Sequence, residues 1–309
     1  MPALRALRQP RLMAALFAAL AAGLPGAAHA QAAAASDTSR VRIVSIPGSL
    51  PEPRNAVVVL PAGYHDSPRR YPVLYLLHGH DGGHRNWLDR TNLLAHTARL
   101  PLIVVLPDAA NSWYTNSAAR PAERFEEYVA REVPAFIDQH FRTLTYREAR
   151  YVAGLSMGGY GALKLGLKHS ARFSLAGSFS GAPLAAAGDA SSQTRMDAFG
   201  PAGSASRAEN DLLALARDAR VADGTYFYLD TGTLDRLLAD NRAFVQAMAA
   251  RPLAYEYHEV PGTHSWEFWD RRLPVFLKLV EERIARLPAA EPIGVRTGSA
   301  PAGGHGTAH

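Results

Sequence analysis

Residues 151–161 read Y-V-A-G-L-S-M-G-G-Y-G, and they place one serine, Ser156, among four glycines. A short apolar run precedes this serine and a helix-like stretch follows it. Glycine is unfavourable inside regular structure, so a cluster of it indicates a backbone that bends sharply or approaches another segment closely. The part G-L-S-M-G, at 154–158, fits the pattern G-x-S-x-G, which between a strand and a helix indicates a tight turn that exposes a nucleophilic serine. The pattern alone also fits an ordinary glycine-rich turn, so the partners of Ser156 have to be sought elsewhere in the chain.

Short apolar runs and helix-like stretches alternate along the chain. Runs such as L-I-V-V-L at 102–106 suit strands that are buried on both faces of a sheet. The alternation predicts an α/β protein with a mostly parallel sheet, helices on both faces and an antiparallel pair of strands at the start. Ligands bind such sheets at the carboxyl ends of the strands. The predicted strands are 41–46, 56–60, 73–77, 102–106, 151–154, 174–180, 226–230 and 255–260, and the predicted helices are 121–141, 158–169, 207–218, 235–250 and 269–286.

The N-terminus has the pattern of a secretory signal peptide. Residues 1–30 contain three arginines, no acidic residue, a short apolar stretch and the ending A-H-A. The apolar stretch is too short for a permanent membrane span, although a retained N-terminal anchor is the alternative interpretation. We therefore expect an exported protein, periplasmic or secreted, that is cleaved after Ala30. Cleavage would lower the formal net charge from +5 to +2, so the basic composition is weak evidence for a nucleic-acid partner and none is expected.

The remaining chain divides into three predicted parts. Residues 31–40 are predicted to be a flexible lead-in, and residues 41–287 are predicted to form one catalytic domain. Residues 288–309 show no periodic spacing of apolar residues and are predicted to be a disordered tail. The 309 residues include no cysteine, which excludes disulfides, thiolate metal sites and a cysteine nucleophile. Composition does not predict the oligomeric state.

A serine hydroxyl needs a base to remove its proton and a carboxylate to orient that base. In this type of fold the chain order is serine, acid, histidine. His264 lies in V-P-G-T-H-S-W, a loop directly after the strand 255–260, and is the predicted base, in preference to His169 and His258. The acid should follow the preceding strand, where the chain reads Y-L-D-T-G-T-L-D. From the residues alone, either Asp230 or Asp235 could serve.

The negative oxygen of a tetrahedral intermediate needs two hydrogen-bond donors. The backbone N–H of Met157, after the nucleophile, is the predicted first donor, and the loop H-G-H-D-G-G-H at 78–84 is expected to supply the second. An alternative interpretation of this loop is a metal site, with its histidines and its aspartate as the ligands. The position of the loop explains it without a metal, so no metal and no cofactor are expected.

Four ordered motifs resemble the putative esterase, or esterase D-like, family of α/β-hydrolases. They are Y-P-V-L-Y-L-L-H-G at 71–79, G-L-S-M-G-G-Y-G-A-L at 154–163, G-T-L-D at 232–235 and P-G-T-H-S-W at 261–266. The resemblance covers about 41–287 and implies the α/β-hydrolase fold and a metal- and cofactor-independent serine esterase.

The resemblance also implies which residues are the acid and the second oxyanion donor, two roles that the residues alone leave open. The family's G-T-x-D ends in the acid of the triad, which falls on Asp235, and the residue after the H-G pair, His80, supplies the second oxyanion N–H. The family often has an acidic residue where Leu234 stands, a position that is not catalytic. The lack of cysteine and the expected export disfavour the S-formylglutathione hydrolase branch and favour the branch of tributyrin, feruloyl and acetylxylan esterases.

The substrate is expected to be a small-molecule or carbohydrate ester. Aromatic residues near strand ends would suit an acyl chain or an aromatic acid, and the segment 182–223, predicted as an irregular insertion, is well placed to cover the pocket. The runner-up function is an acyltransferase that uses the same triad to transfer the acyl group to a sugar or lipid alcohol. A catalytically silent binding protein on this fold is the rival from another class. The predicted substrate-binding residues are Trp87, Trp113, Tyr114 and Trp266, whereas Trp269 is assigned to packing.

Overall fold

The computed structural model describes residues 37–188, 192–218 and 224–288. The predicted signal peptide, 1–30, and all but the first residue of the predicted tail, 288–309, lie outside the described residues.

The predicted lead-in, 31–40, is described only in its last part, and that part differs from the expectation of a flexible segment. Thr38–Arg40 form one turn of 3-10 helix. The side chain of Arg40 is buried and donates hydrogen bonds to the backbone oxygens of Leu60 and Leu94.

The strands form one eight-stranded sheet in the order β1-β2-β4-β3-β5-β6-β7-β8. β2 runs antiparallel to both of its neighbours, β1 and β4, and the other neighbours are parallel. This confirms the predicted mostly parallel sheet with an antiparallel start. The strands are β1 (Val41–Ile46), β2 (Arg54–Val59), β3 (Val73–Leu77), β4 (Ile103–Pro107), β5 (Arg150–Leu155), β6 (Leu175–Phe179), β7 (Tyr226–Gly232) and β8 (Tyr255–Val260).

Helices cover both faces of the sheet, and a buried apolar cluster lies on each face. Helices α1, α2 and α10 pack on one face, and α5, α8 and α9 lie on the other. Because β3 and β4 are buried on both faces, their sequences are continuously apolar instead of alternating. The α-helices of the described residues are α1 (Asn86–Arg90), α2 (Leu93–His96), α3 (Phe125–Glu127), α4 (Val133–His140), α5 (Met157–Lys168), α6 (Gln193–Phe199), α7 (Ala205–Glu209), α8 (Leu212–Arg217), α9 (Leu238–Ala249) and α10 (Trp266–Ile284).

Two predicted segments differ in detail from the structure. The single helix predicted over 121–141 contains a turn of π-helix, Tyr128–Glu132, between α3 and α4. Pro134, which has no N–H to donate to the helical ladder, follows that turn.

The insertion at 182–223 was predicted to be irregular apart from a helix over 207–218. The structure has α7 and α8 in place of that single helix, and α6 is a helix that the sequence did not predict. Side-chain caps begin two of these helices. The hydroxyl of Ser204 accepts from the Arg207 amide, and the carboxylate of Asp211 accepts from the Leu213 amide.

The fold brings four loops to one edge of the sheet. β3, β5, β7 and β8 are parallel, so the segments that follow them all leave the sheet at its carboxyl edge. These segments carry the histidine-rich loop, Ser156, Asp235 and His264.

Candidate active site

Ser156 lies on a sharp turn between β5 and α5. Its backbone has φ +52° and ψ −115°, a combination that costs free energy in any residue with a Cβ atom. The Ser156 amide donates to the carbonyl oxygen of Phe179 on β6, and its carbonyl oxygen accepts from the amides of Tyr160 and Ala182. These bonds hold the strained turn in place and leave the hydroxyl of Ser156 at the surface of a cavity.

The glycines around Ser156 let the chain cross over itself. A Cβ atom on Gly154 would lie 2.5 Å from the carbonyl group of Gly158, and a Cβ atom on Gly158 would lie 2.5 Å from the backbone oxygen of Leu77. Neither backbone neighbour can move aside. The spacing G-x-S-x-G is therefore a steric requirement of this turn.

A hydrogen-bonded chain connects three residues that are distant in the sequence. The Nε2 atom of His264 lies 2.9 Å from Oγ of Ser156, and its Nδ1 atom lies 2.9 Å from Oδ2 of Asp235. The indole ring of Trp269 packs edge-on against the imidazole, with 5.0 Å between the ring centroids. An imidazole held in this way can accept the serine proton on Nε2 while Nδ1–H donates to the carboxylate.

The carboxylate of Asp235 is buried and fully engaged. Its Oδ1 atom accepts from the Leu237 amide at 2.8 Å, and its Oδ2 atom contacts His264. Burial raises the pKa of Asp235, but the hydrogen bonds from His264 and the Leu237 amide outweigh it and hold that pKa below its ordinary value. The carboxylate therefore stays ionised and can stabilise an imidazolium.

Asp230, the other acid that the sequence left open, is held elsewhere. Its Oδ2 atom accepts from Nε of Arg272 at 2.9 Å and from the hydroxyl of Tyr228 at 2.9 Å. The other two histidines weighed as the base are also paired with acids, His169 with Glu126 and His258 with Glu256. The structure thus brings together Ser156, Asp235 and His264 and leaves Asp230, His169 and His258 outside that contact.

The loop after β3 passes directly against the serine. A Cβ atom on Gly79 would lie 3.6 Å from Cβ of Ser156. The amides of His80 and Met157, the predicted oxyanion donors, have no acceptor within the described part of the chain. His80 lines the cavity, and Met157 directly follows Ser156, which lines it as well.

The histidines of this loop point to different partners. Nδ1 of His78 donates to the Gly79 carbonyl oxygen, and its Nε2 accepts from the Ala109 amide. Burial lowers the pKa of His78, so this imidazole is neutral. His80 contacts Asp81 and Thr194. Among the described residues, no group of three or more potential ligands is arranged to hold a metal ion.

A cavity of about 640 Å³ opens at Ser156. Trp113 and Trp266, two of the predicted substrate-binding residues, line it. Trp269, which the sequence assigned to packing, is buried in the apolar cluster of its sheet face, and it also lines the cavity. The insertion contributes Ala182 and Arg195 to the wall.

Trp87 and Tyr114 do not line the cavity, which corrects their predicted role. Both are buried. Nε1 of Trp87 donates to the Leu77 carbonyl oxygen, and the hydroxyl of Tyr114 donates to the His78 carbonyl oxygen. Both side chains therefore stabilise the chain where β3 ends and its loop begins. The ring of Tyr114 packs against Gly161, where a Cβ atom would lie 2.5 Å from it. The sequence shows the glycine at 161, but it does not show that Tyr114, 47 positions earlier, packs against it.

A family model described as putative esterase matches residues 48–279. The chain belongs to the putative esterase family. It is a carboxylic-ester hydrolase, as the sequence resemblance implied.

Several known esterases are similar to the chain. An acetyl esterase of Caldicellulosiruptor saccharolyticus is 31% identical over 211 residues, which are 64% of this chain and 79% of the relative. The esterase Rv1288 of Mycobacterium tuberculosis is 31% identical over 237 residues, covering 67% of this chain and 51% of the relative. The chain thus spans about half the length of the mycobacterial esterase. A solved ferulic acid esterase is 27% identical with a TM-score of 0.67, covering 79% of this chain and 99% of that structure.

Proposed function

We propose that the protein hydrolyses carboxylic esters through an acyl-enzyme on Ser156, with His264 as general base and Asp235 as its orienting acid. The observation that carries the proposal is the unbroken hydrogen-bonded chain from Oγ of Ser156 through His264 to Asp235, with both links at 2.9 Å. Its position at the wall of the cavity gives an ester carbonyl access to the hydroxyl.

The reaction takes two similar halves. Nε2 of His264 takes the proton of Ser156 as Oγ attacks the ester carbonyl carbon, and the N–H groups of Met157 and His80 donate to the oxygen that becomes negative. The carbon–oxygen bond of the ester then breaks, and the alcohol leaves with the proton from His264. Water repeats the sequence on the acyl-enzyme and releases the acid and the free serine.

The proposed substrate is a small-molecule or carbohydrate ester. Relatives carry the names acetyl esterase and ferulic acid esterase. A cavity of about 640 Å³ with indole rings of Trp113 and Trp266 in its wall has room for either an acetylated sugar or an aromatic acyl group.

We also propose that the protein is exported and loses residues 1–30. The supporting observation is the pattern of that segment, a basic start, a short apolar stretch and A-H-A, which lies outside the described residues. Among the described residues, no helix has the length and apolar character needed to cross a membrane.

The experiment that tests the catalytic proposal is covalent labelling. An organophosphonate should label the protein on Ser156, and Ser156→Ala should lose 4-nitrophenyl acetate hydrolysis by on the order of 10⁴–10⁶ in kcat. The variant should keep the thermal unfolding midpoint of the parent within a few degrees, since the hydroxyl makes one hydrogen bond. Labelling at another residue, or a Ser156→Ala variant that keeps its activity, would refute the assignment.

A further inference from the structure

Three arginines border the cavity at Ser156. Arg90 ends α1, Arg195 lies on α6 of the insertion, and Arg236 follows Asp235 in the next turn. In the described part of the chain, no carboxylate oxygen lies within ion-pair distance of any of the three.

Several exposed arginines elsewhere on the molecule are paired with carboxylates, whereas others, such as Arg69 and Arg131, have no such partner among the described residues. Arg242 makes two short contacts with Glu259, and Arg271 contacts Glu267 at 3.1 Å. Those arginines have their charge balanced within the protein. Among the described residues the three arginines at the cavity have no carboxylate partner, so their charge is open to a ligand that enters it.

Two of the three guanidinium groups are held in position by aromatic rings of the cavity wall. The guanidinium carbon of Arg90 lies 5.6 Å from the ring centre of Trp266, and that of Arg195 lies 5.2 Å from the ring centre of Trp113. Stacking on a ring restrains an arginine while the N–H groups at its edge stay free to donate. A restrained donor loses less side-chain entropy when it binds a ligand.

The cavity wall has an excess of positive charge. Against the three guanidinium groups, the only carboxylate among the described lining residues is that of Asp81, which is engaged by Asn111 and His80. The carboxylate of Asp240 interacts electrostatically with Arg195, but Asp240 does not line the cavity. Burial raises the pKa of Asp240. A concave site with charge of one sign attracts ligands of the opposite sign.

We propose that the natural ester carries an anionic group, a carboxylate in the first instance, which binds one or more of Arg90, Arg195 and Arg236. The planar fork of a guanidinium matches a carboxylate with two parallel N–H···O bonds. The inference rests on the proposed esterase function and adds the substrate class. The reacting ester bond stays at Ser156, and the anion is a separate group on the acyl or the alcohol side.

Matched pairs of esters test the inference on each side of the reacting bond. On the alcohol side, 4-acetoxybenzoate is compared with its neutral methyl ester. On the acyl side, the monophenyl ester of adipic acid is compared with methyl phenyl adipate. The quantity measured is kcat/KM of the anionic ester divided by kcat/KM of its neutral partner. A charge-assisted pair in a cavity predicts a ratio of roughly tenfold on the side that reaches the arginines.

Variants locate the effect. Arg90→Gln, Arg195→Gln and Arg236→Gln each remove one charge at the cavity, whereas Arg242→Gln removes one exposed charge away from it. At least one of the three cavity variants should lower the ratio several-fold, and Arg242→Gln should leave it unchanged. Added salt should also lower the ratio of the parent, since ions screen exposed charges.

Ratios at or below one for both ester pairs would overturn the inference, and so would a ratio above one that all three cavity variants leave unchanged. These outcomes are distinct from failure of the esterase mechanism. In that case the parent would hydrolyse neither the anionic nor the neutral esters, or Ser156→Ala would hydrolyse both.

Discussion

At the scale of single residues, two aspartates at the end of β7 differ in what surrounds them. Burial raises the pKa of Asp230 to about 6, although Arg272 and Tyr228 donate to it. Hydrogen bonds from His264 and the Leu237 amide lower the pKa of Asp235 in spite of burial. A carboxylate that must balance a positive charge on an imidazole has to stay ionised, and only the surroundings of Asp235 favour that form.

Asparagine substitutions should separate the two aspartates. We expect Asp235→Asn to lower kcat by on the order of 10⁴, because an amide can donate to Nδ1 of His264 and leave the wrong tautomer. Asp230→Asn should have a much smaller effect on kcat, since its partners are Arg272 and Tyr228. The measurement is kcat per folded molecule, with the folded fraction taken from circular dichroism. A larger loss of kcat in the Asp230 variant would reverse the assignment of the acid.

At the scale of secondary-structure elements, α5 is fixed to the sheet by steric contact and to α3 by charge. The steric contact is at Gly158, where the first turn of α5 crosses the end of β3. The charge contact is at Glu126, whose carboxylate lies within 3.0 Å of the amines of Lys164 and Lys168 and of the imidazole of His169. Because α5 starts at the serine turn, both contacts position the candidate nucleophile.

Gly158→Ala should destabilise the protein by about 3 kcal/mol or more. Overpacking costs about 1–3 kcal/mol where side chains can adjust, and here the clash is with the backbone oxygen of Leu77. Gly83→Ala is the matched control, because a Cβ atom there meets only the Asp108 carboxylate at 3.7 Å. The control should change the free energy of unfolding by about 0.5 kcal/mol or less in urea titrations. Equal effects of the two substitutions would contradict the steric account.

Glu126→Gln should cost about 3–5 kcal/mol of unfolding free energy, because it leaves the fully buried amine of Lys164 without its counter-charge. Burial lowers the pKa of Lys164 to about 8 even with Glu126 present. The neighbouring Glu127 is half-buried and paired with the exposed Arg124, so Glu127→Gln should cost at most about 1 kcal/mol. Chemical denaturation of both variants compares the two sites. If Glu126→Gln were as mild as Glu127→Gln, the buried cluster would not be what holds α5 to α3.

At the scale of the whole molecule, all parts of the candidate site come from one edge of one sheet. Ser156 and His264 are 108 positions apart, and the cavity between them is bordered by α1, α6 and α10. The site therefore requires β3, β5, β7 and β8 to be assembled in one sheet.

Export is a property of the whole chain and can be tested on it. Expressed in full in a secreting bacterial host, the protein should be recovered outside the cytoplasm with Gln31 as its first residue, since the segment before it has the pattern of a cleaved signal. A chain that starts at Gln31 should stay in the cytoplasm and serves as the control. Recovery of the full-length chain in the cytoplasm, or of an exported form that still carries residues 1–30, would contradict the proposal.

Sequence alone was sufficient for the features that depend on local pattern. The sequence pattern predicted all eight strands to within a few residues. Central strands such as β3 and β4 are continuously apolar because both of their faces are buried, whereas the edge strands β1 and β8 mix apolar and polar residues. The spacing G-x-S-x-G predicted the strand–turn–helix at Ser156, because only glycine fits where Gly154 and Gly158 cross. The chain order placed candidate acids and a base after later strands.

Only the tertiary structure could decide what depends on contacts between distant segments. Trp87, Trp113, Trp266 and Trp269 all lie near strand ends, and nothing in their local sequence separates Trp87, which does not line the cavity, from the three that do. Likewise, the arginines at the cavity look the same in sequence as Arg242, which has a carboxylate partner. The physical reason is that burial and charge pairing belong to the packed neighbours of a side chain, and those neighbours come from other elements of the sheet.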